Sequence, residues 1–366
     1  MKRALLALAA LAALVALAAP LALAQGKPAQ TGPPLDAAKP VTYAVIGDTP
    51  YGTAQIENFP NDVAEINADP RVSLVFHLGD IKNGSTQCST EYFELIHKDF
   101  EGFSDPLVFT PGDNEWTDCH RKNNGSYWPA GPVENGDLRP ARLQVIRELF
   151  FSDPGWTMGQ NPRQVEDQGG IYVENVAWSQ SRTQFGDLDV PGSNNDWLPW
   201  FEEERSNAQL EEVSGRTAAD VEWLNHIFDE AEEGKAKAVV IGIQADMWDP
   251  EITGDPSEYD HFTPIVQALA SRSLQFGGPV LLLNGDSHVF TDDHPLAEPS
   301  KPQNLSIYGL GQEVPNLRRI TVNGSSTPCH EWLKLTFSPS SNHPFSYQRM
   351  EFANQPGFEP SVCPGH

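Results

Sequence analysis

The stretch "VIGDTPYG", residues 45–52, carries an apolar run into Gly47-Asp48 and then turns at once through Pro50. Read with the residues before it, "VTYAVIGD" (41–48) is a buried strand that delivers a carboxylate at its end. The same unit recurs. A helical pattern over 53–68 leads into "VSLVFHLGD" (72–80), and a second near 91–101 leads into "PLVFTPGD" (106–113). Strand, helix, strand, helix, strand implies parallel pairing with right-handed crossovers, so the expected class is α/β. Loops at 117–140 and 153–170, rich in Gly, Asn, Pro and Asp, flank a short helix at 141–151. "IYVENVAWSQSRTQF" (171–185) reads as one or two strands, and 217–233 carries a helical stripe through Val221, Leu224 and Phe228. A second burst follows: "AKAVVIGIQAD" (236–246) as a strand, a helix near 261–273, and "GPVLLLNGDSHVF" (278–290). "LSIYGLG" (305–311), "LRRITVNG" (317–324), "EWLKLTFSP" (331–339) and "FSYQRMEF" (345–352) read as short, mostly antiparallel strands.

Gly-Asp occurs seven times, at 47, 79, 112, 136, 186, 254 and 285. Alone it is a turn signal. Four copies stand apart because Asp48, Asp80, Asp113 and Asp286 each follow a buried-looking strand directly. In a parallel sheet such ends open onto one crevice. Two carboxylates about 4 Å apart repel by roughly 4 kcal/mol at an effective dielectric near 20, and four multiply the pairs. Divalent cations are the economical answer.

In this light "GDTPYG", "HLGDIKNG", "PGDNEW" and "NGDSH" resemble the successive blocks of the calcineurin-like metallophosphoesterases, roughly D-x-H, G-D, G-N-H-[DE], a lone His after a strand, and G-H-x-H. Order, spacing and the preceding strands agree over about 41–325. The resemblance implies a two-sheet sandwich flanked by helices (αββα) with long loop insertions. It also implies hydrolysis of phosphate esters at a dinuclear metal site, with a hydroxide held by the metals attacking phosphorus. It puts Asp48 and His288 on the first metal and Asp80 between the two. Asp113, Gln244 and Asp286 would hold the second, each in place of a family Asn or His. The family's first-block His is Pro50 here, so the first metal loses a nitrogen ligand unless Tyr51 or a distant residue compensates. Its third-block His is Asn114. An all-oxygen second site favours Mg2+, Mn2+ or Ca2+ over Zn2+, with iron a further option. Asn114 cannot supply a proton to an alkoxide, so the expectation is either a substrate with a good leaving group or a substitute acid, His120 first and then His77. Lys82, Asn83, Tyr51 and Arg121 are the expected substrate contacts. The alternative on the same fold is a non-catalytic, metal-stabilised binding protein. A serine hydrolase has no support, because no G-x-S-x-G elbow is present.

Residues 1–24 have the layout of a signal peptide: Lys2-Arg3, a Leu/Ala run, then Ala22-Leu23-Ala24. Residues 25–40 form a Pro-rich linker, and the catalytic domain is expected over 41–356. Export to a secreted or periplasmic location makes disulfides available, with Cys88–Cys119 and Cys329–Cys363 the favoured pairing. The chain carries a formal charge of −26, which becomes −28 once Lys2 and Arg3 are lost with the signal. A field of that sign repels nucleic acid and anionic membranes. The expected partner is therefore a small phosphate ester, with no membrane contact after signal cleavage.

Overall fold

The computed structural model describes residues 39–120, 138–199, 205–249, 257, 259–297, 302–327, 329–341 and 343–356, with the side chains of 120, 138–141 and 302 excepted. The signal segment and nearly all of the linker lie outside the described residues. Two sheets face one another. The first has β1 (Val41–Ile46), β2 (Val72–His77), β3 (Leu107–Phe109), β11 (Glu331–Phe337) and β12 (Phe345–Glu351), in the order β12-β11-β1-β2-β3. The second has β4 (Glu166–Asp167), β5 (Val176–Gln180), β6 (Thr183–Asp187), β7 (Ala238–Gly242), β8 (Val280–Asn284), β9 (Thr291–Asp293) and β10 (Leu317–Thr321), in the order β4-β5-β6-β7-β8-β10-β9. β1, β2 and β3 run parallel, as do β6, β7 and β8.

The apolar runs do not alternate with polar residues because both faces of the central strands are buried. Along β1, Tyr43 and Val45 point between the sheets, where they meet Phe76, Phe185, Val240 and Leu283, while Ala44 and Ile46 point outward. That outer face packs on α1 (Gly52–Asn67), α2 (Thr90–Phe100) and α3 (Leu138–Phe150) through Phe59, Phe93, Phe100 and Ile146. The outer face of the second sheet, with Val239, Ile241 and Leu282, packs on α5 (Asn207–Glu233) and α6 (Thr263–Phe276) through Leu224, Ile227, Val266 and Leu269. The result is an αββα sandwich.

Three local expectations change. "LSIYGLG" is no strand: α7 (Pro302–Ile307) covers its first half, and a proline at the first helical position was the cue. α5 starts ten residues before the apolar stripe, where the Ser206 side chain accepts a hydrogen bond from the Gln209 N–H. β10 pairs parallel with β8 and only its other edge, against β9, is antiparallel.

Candidate metal centre

β1, β2, β3, β7 and β8 end on the same side of the sandwich, and the residue types at those ends are what the crevice contains. Asp48, Asp80, Asp286 and His288 all have left-handed backbones, with φ of 52°, 57°, 73° and 64°. Asp tolerates that region better than most residues. The turn swings each side chain off its strand and over the sheet end. The preceding glycines have a separate cause. A Cβ on Gly112 would lie 2.2 Å from Asp80 Oδ1, and one on Gly285 would lie 2.3 Å from Asp48 Oδ2. These two glycines therefore leave room for a neighbour's carboxylate.

The acids converge in two groups. Asp48, Asp80 and His288 bring one ligand atom each within 4.8 Å of one another, and so do Asp80, Asp113 and Asp286. Asp80 belongs to both. The Asp286 N–H donates to both Asp48 oxygens, at 3.0 and 3.1 Å. His288 Nε2 lies 3.3 Å from Asp48 Oδ1 while its Nδ1 meets the Ser326 hydroxyl. Burial first, and then the neighbouring acids, hold Asp80 and Asp286 well above the usual carboxylate range. Burial also raises Asp48, against the pull of His288. Carboxyls this buried and this close need protons or cations, and their oxygens are close enough to share a cation. A hard, oxygen-preferring divalent ion fits the donor set.

The family profile of the calcineurin-like phosphoesterases matches residues 41–290. The chain belongs to this family. Among solved structures it is similar to purple acid phosphatase PPD1 from yellow lupin (Lupinus luteus) seeds, at 11% identity and a TM-score of 0.45, over 86% of this chain and 52% of that one. It is also similar to GAP50, the anchor in the inner membrane complex of Plasmodium, at 10% identity and a TM-score of 0.39, over 86% and 90%. The chain thus spans about half the length of the lupin protein. No curated protein sequence matches it.

In this calcineurin-like phosphoesterase several expected roles change. Gln244 uses its carbonyl oxygen to accept the Gly192 N–H, and its amide nitrogen faces Asp113 Oδ1 at 3.4 Å. It braces the second group rather than presenting an oxygen to it. His77 is fully buried, bonded through Nε2 to the Thr49 carbonyl at 2.9 Å, and burial pushes its pKa down to about 4. It is no acid for a leaving group. Lys82 is fully buried too, donates to the Asn83 carbonyl at 3.0 Å, and lies among Glu115, Asp80 and Asp118. It counters the acids from behind instead of clamping a substrate. Asn83 uses Oδ1 to accept from the Ser85 N–H and the Ser85 and Thr86 hydroxyls, closing its own turn.

Other expected residues lie in the site. Tyr51 donates to Asp80 Oδ2 at 3.2 Å, and its ring meets His288 edge-on. Asn114 donates its backbone N–H to Asp80 Oδ1 (3.1 Å) and its side-chain amide to Asp80 Oδ2 (2.7 Å). The His120 side chain and Arg121 lie outside the described residues. Cys88 and Cys119 form a disulfide, which ties the loop before α2 to the turn after Asp113. Cys329 is also disulfide-bonded, and Cys363 lies outside the described residues.

Glu115 is a site residue to which the sequence blocks alone assign no role. Its Oε1 accepts the N–H groups of Asp80 (2.9 Å) and Gly112 (2.7 Å), locking two strand-end turns together. Burial pushes its pKa up to about 7. The acidic last position of the family's third block was the signal available for it.

Proposed function

We propose that this protein is an exported phosphate-ester hydrolase that works with two divalent metal ions, Mg2+, Mn2+ or Ca2+ before Zn2+. The observation that carries the reading is the sharing of Asp80 between two groups of converging ligand atoms. Asp48, Asp80 and His288 would hold one ion, and Asp80, Asp113 and Asp286 the other. Such a pair supplies positive charge to a phosphoryl group and lowers the pKa of water.

The chain's own residues orient that centre. Asn114 and Tyr51 both donate to Asp80 Oδ2 and hold its carboxylate in place, and Ser326 sets the ring of His288. Neither Asn114 nor the buried His77 can protonate an alkoxide, and the His120 side chain lies outside the described residues, so the preferred esters on the described residues are those whose leaving group departs unaided. Aryl phosphates meet that condition. Export is supported by the leader-like start and by a disulfide bond, and among the described residues no helix is long and apolar enough to cross a membrane.

The competing reading, a metal-stabilised binding protein on the same fold, has one observation in its favour. At the positions read as holding a leaving-group acid, Asn114 has no ionisable proton and His77 is buried and bonded to the Thr49 carbonyl. One experiment separates the two: metal analysis of the purified chain, then turnover of aryl and alkyl phosphate mono- and diesters with Mg2+, Mn2+, Ca2+ and Zn2+. Metal-dependent hydrolysis of aryl esters, with alkyl esters slower by orders of magnitude, is expected. Two bound ions without turnover of any ester would favour the binding protein.

A further inference from the structure

The second group of acids is closed on one side by backbone that no strand end supplies. The segment α4 (Gly192–Asp196) passes over it. A Cβ on Gly192 would lie 2.7 Å from Asp286 Oδ1 and 2.8 Å from both Asp113 Oδ2 and Asp286 Oδ2. Only a glycine lets the main chain press this close. The next residue, Ser193, places its Oγ 2.8 Å from Asp113 Oδ2 and 3.0 Å from Asp118 Oδ1.

A hydroxyl has one proton, so it can serve only one of those two carboxylates. If Asp118 takes it, Ser193 Oγ and Asp113 Oδ2 face each other as two lone-pair oxygens in contact. Oxygens on adjacent corners of an octahedral Mg2+ shell, each about 2.1 Å from the ion, stand about 3 Å apart. The hydrogen bond from Ser193 Oγ to Asp113 Oδ2 has nearly that span, so the two oxygens are spaced to share one hard cation when it replaces the proton. It also places an oxygen where Gln244 has turned its own toward Gly192.

The backbone points the same way. Ser193, Asn194, Asn195 and Asp196 are consecutive left-handed residues, with φ from 52° to 63°. Asn and Asp accept that conformation, whereas serine has less reason to. The turn is held by buried Arg216, which donates from Nη1 to the Asp189 carbonyl (3.0 Å) and from Nη2 to the Asn195 carbonyl (3.2 Å). The same guanidinium lies over the Trp116 ring, 5.2 Å from its centroid. A strained hydroxyl residue braced over a cluster of acids is an outlier that calls for a functional cause.

We propose that Ser193 is an oxygen ligand of the cation held by Asp80, Asp113 and Asp286. The proposal rests on the reading that the site binds divalent ions. Its test is a calorimetric Mn2+ titration of the full chain and of Ser193→Gly, with thermal melting of both in the metal-free state. Glycine adopts the left-handed turn freely while removing Oγ. The expected result is a second Mn2+ bound ten- to a hundredfold more weakly, an unchanged first Mn2+, and a metal-free Tm that holds or rises. A variant that binds both ions within threefold of the wild type overturns the role of Ser193 alone. Equal weakening of both ions with a lowered Tm also overturns it, because the residue would then be structural. A wild-type chain that binds no Mn2+ overturns this proposal and the metal reading together.

Discussion

His77 ends β2 between Phe100 and Phe109, three residues before Asp80, yet it works for the fold. Its Nε2 must carry the proton it gives to the Thr49 carbonyl, and the buried imidazole stays neutral, with its pKa pushed down to about 4 from 6.5. The unfolded chain therefore binds a proton that the folded chain refuses. Stability from this residue is complete above about pH 6.5 and falls as pH drops toward 4, by about 3 kcal/mol at the lower end. Urea unfolding of the wild type and of His77→Gln from pH 7 to 4 should show the variant losing less, and parallel losses would contradict the assignment. The contrast with the aspartates explains what a sequence reveals at this scale. Asp48, Asp80, Asp113 and Asp286 were legible because each follows an apolar run through a glycine, a local pattern. Ser193 meets Asp113 across 80 positions, and Glu115 meets the Asp80 N–H across 35. Nothing near Ser193 in sequence records its contact, and Glu115 is marked only as the acidic last position of its block.

Elements that bury an apolar face were read to within a few residues, because period and breakers are local. The ones that slipped are held by something else. The first ten residues of α5 are mostly polar and depend on the Ser206 cap and on the buried Gln209, which donates to the Asp196 and Leu198 carbonyls. The left-handed α4 has no sequence period at all. The loop that carries Asp113 to Cys119 is likewise held from outside, by the bond from Cys119 to Cys88 across a separation of 31 residues. Chain entropy gives such a closure about 3 to 4 kcal/mol. The paired substitution Cys88→Ser and Cys119→Ser should lower the unfolding free energy in urea by that order. It should also weaken Mn2+ at the group containing Asp113 more than at the group containing His288. Equal weakening at both groups would show that the bridge stabilises the fold without shaping the site.

Over the whole molecule the excess of acidic side chains, 50 against 24 Lys and Arg, is tolerable in solvent and costly at the strand ends, where burial removes the screening. Two neutralisers compete there, protons and cations. Without metal, the folded chain holds Asp48, Asp80 and Asp286 above their unfolded pKa values. It therefore binds more protons than the unfolded chain, and its site becomes more stable as pH falls from neutrality toward the ordinary carboxylate range. Bound ions reverse the sign, because each proton taken up must displace a metal contact. At pH 7.5, Mn2+ a thousandfold above its Kd should add about 4 kcal/mol per ion over an EDTA-treated sample. At pH 5.5 the gap in Tm between the two samples should shrink, as the metal-free form gains and the loaded form loses. Asp187 and Asp189 are also buried, with carboxyls held well above the usual range, but they lie outside both groups of converging ligand atoms. Their titration acts equally on both samples and cancels in the difference, as does that of His77. A gap that widens on acidification, or that is absent at pH 7.5, would mean that protons alone neutralise the strand-end acids.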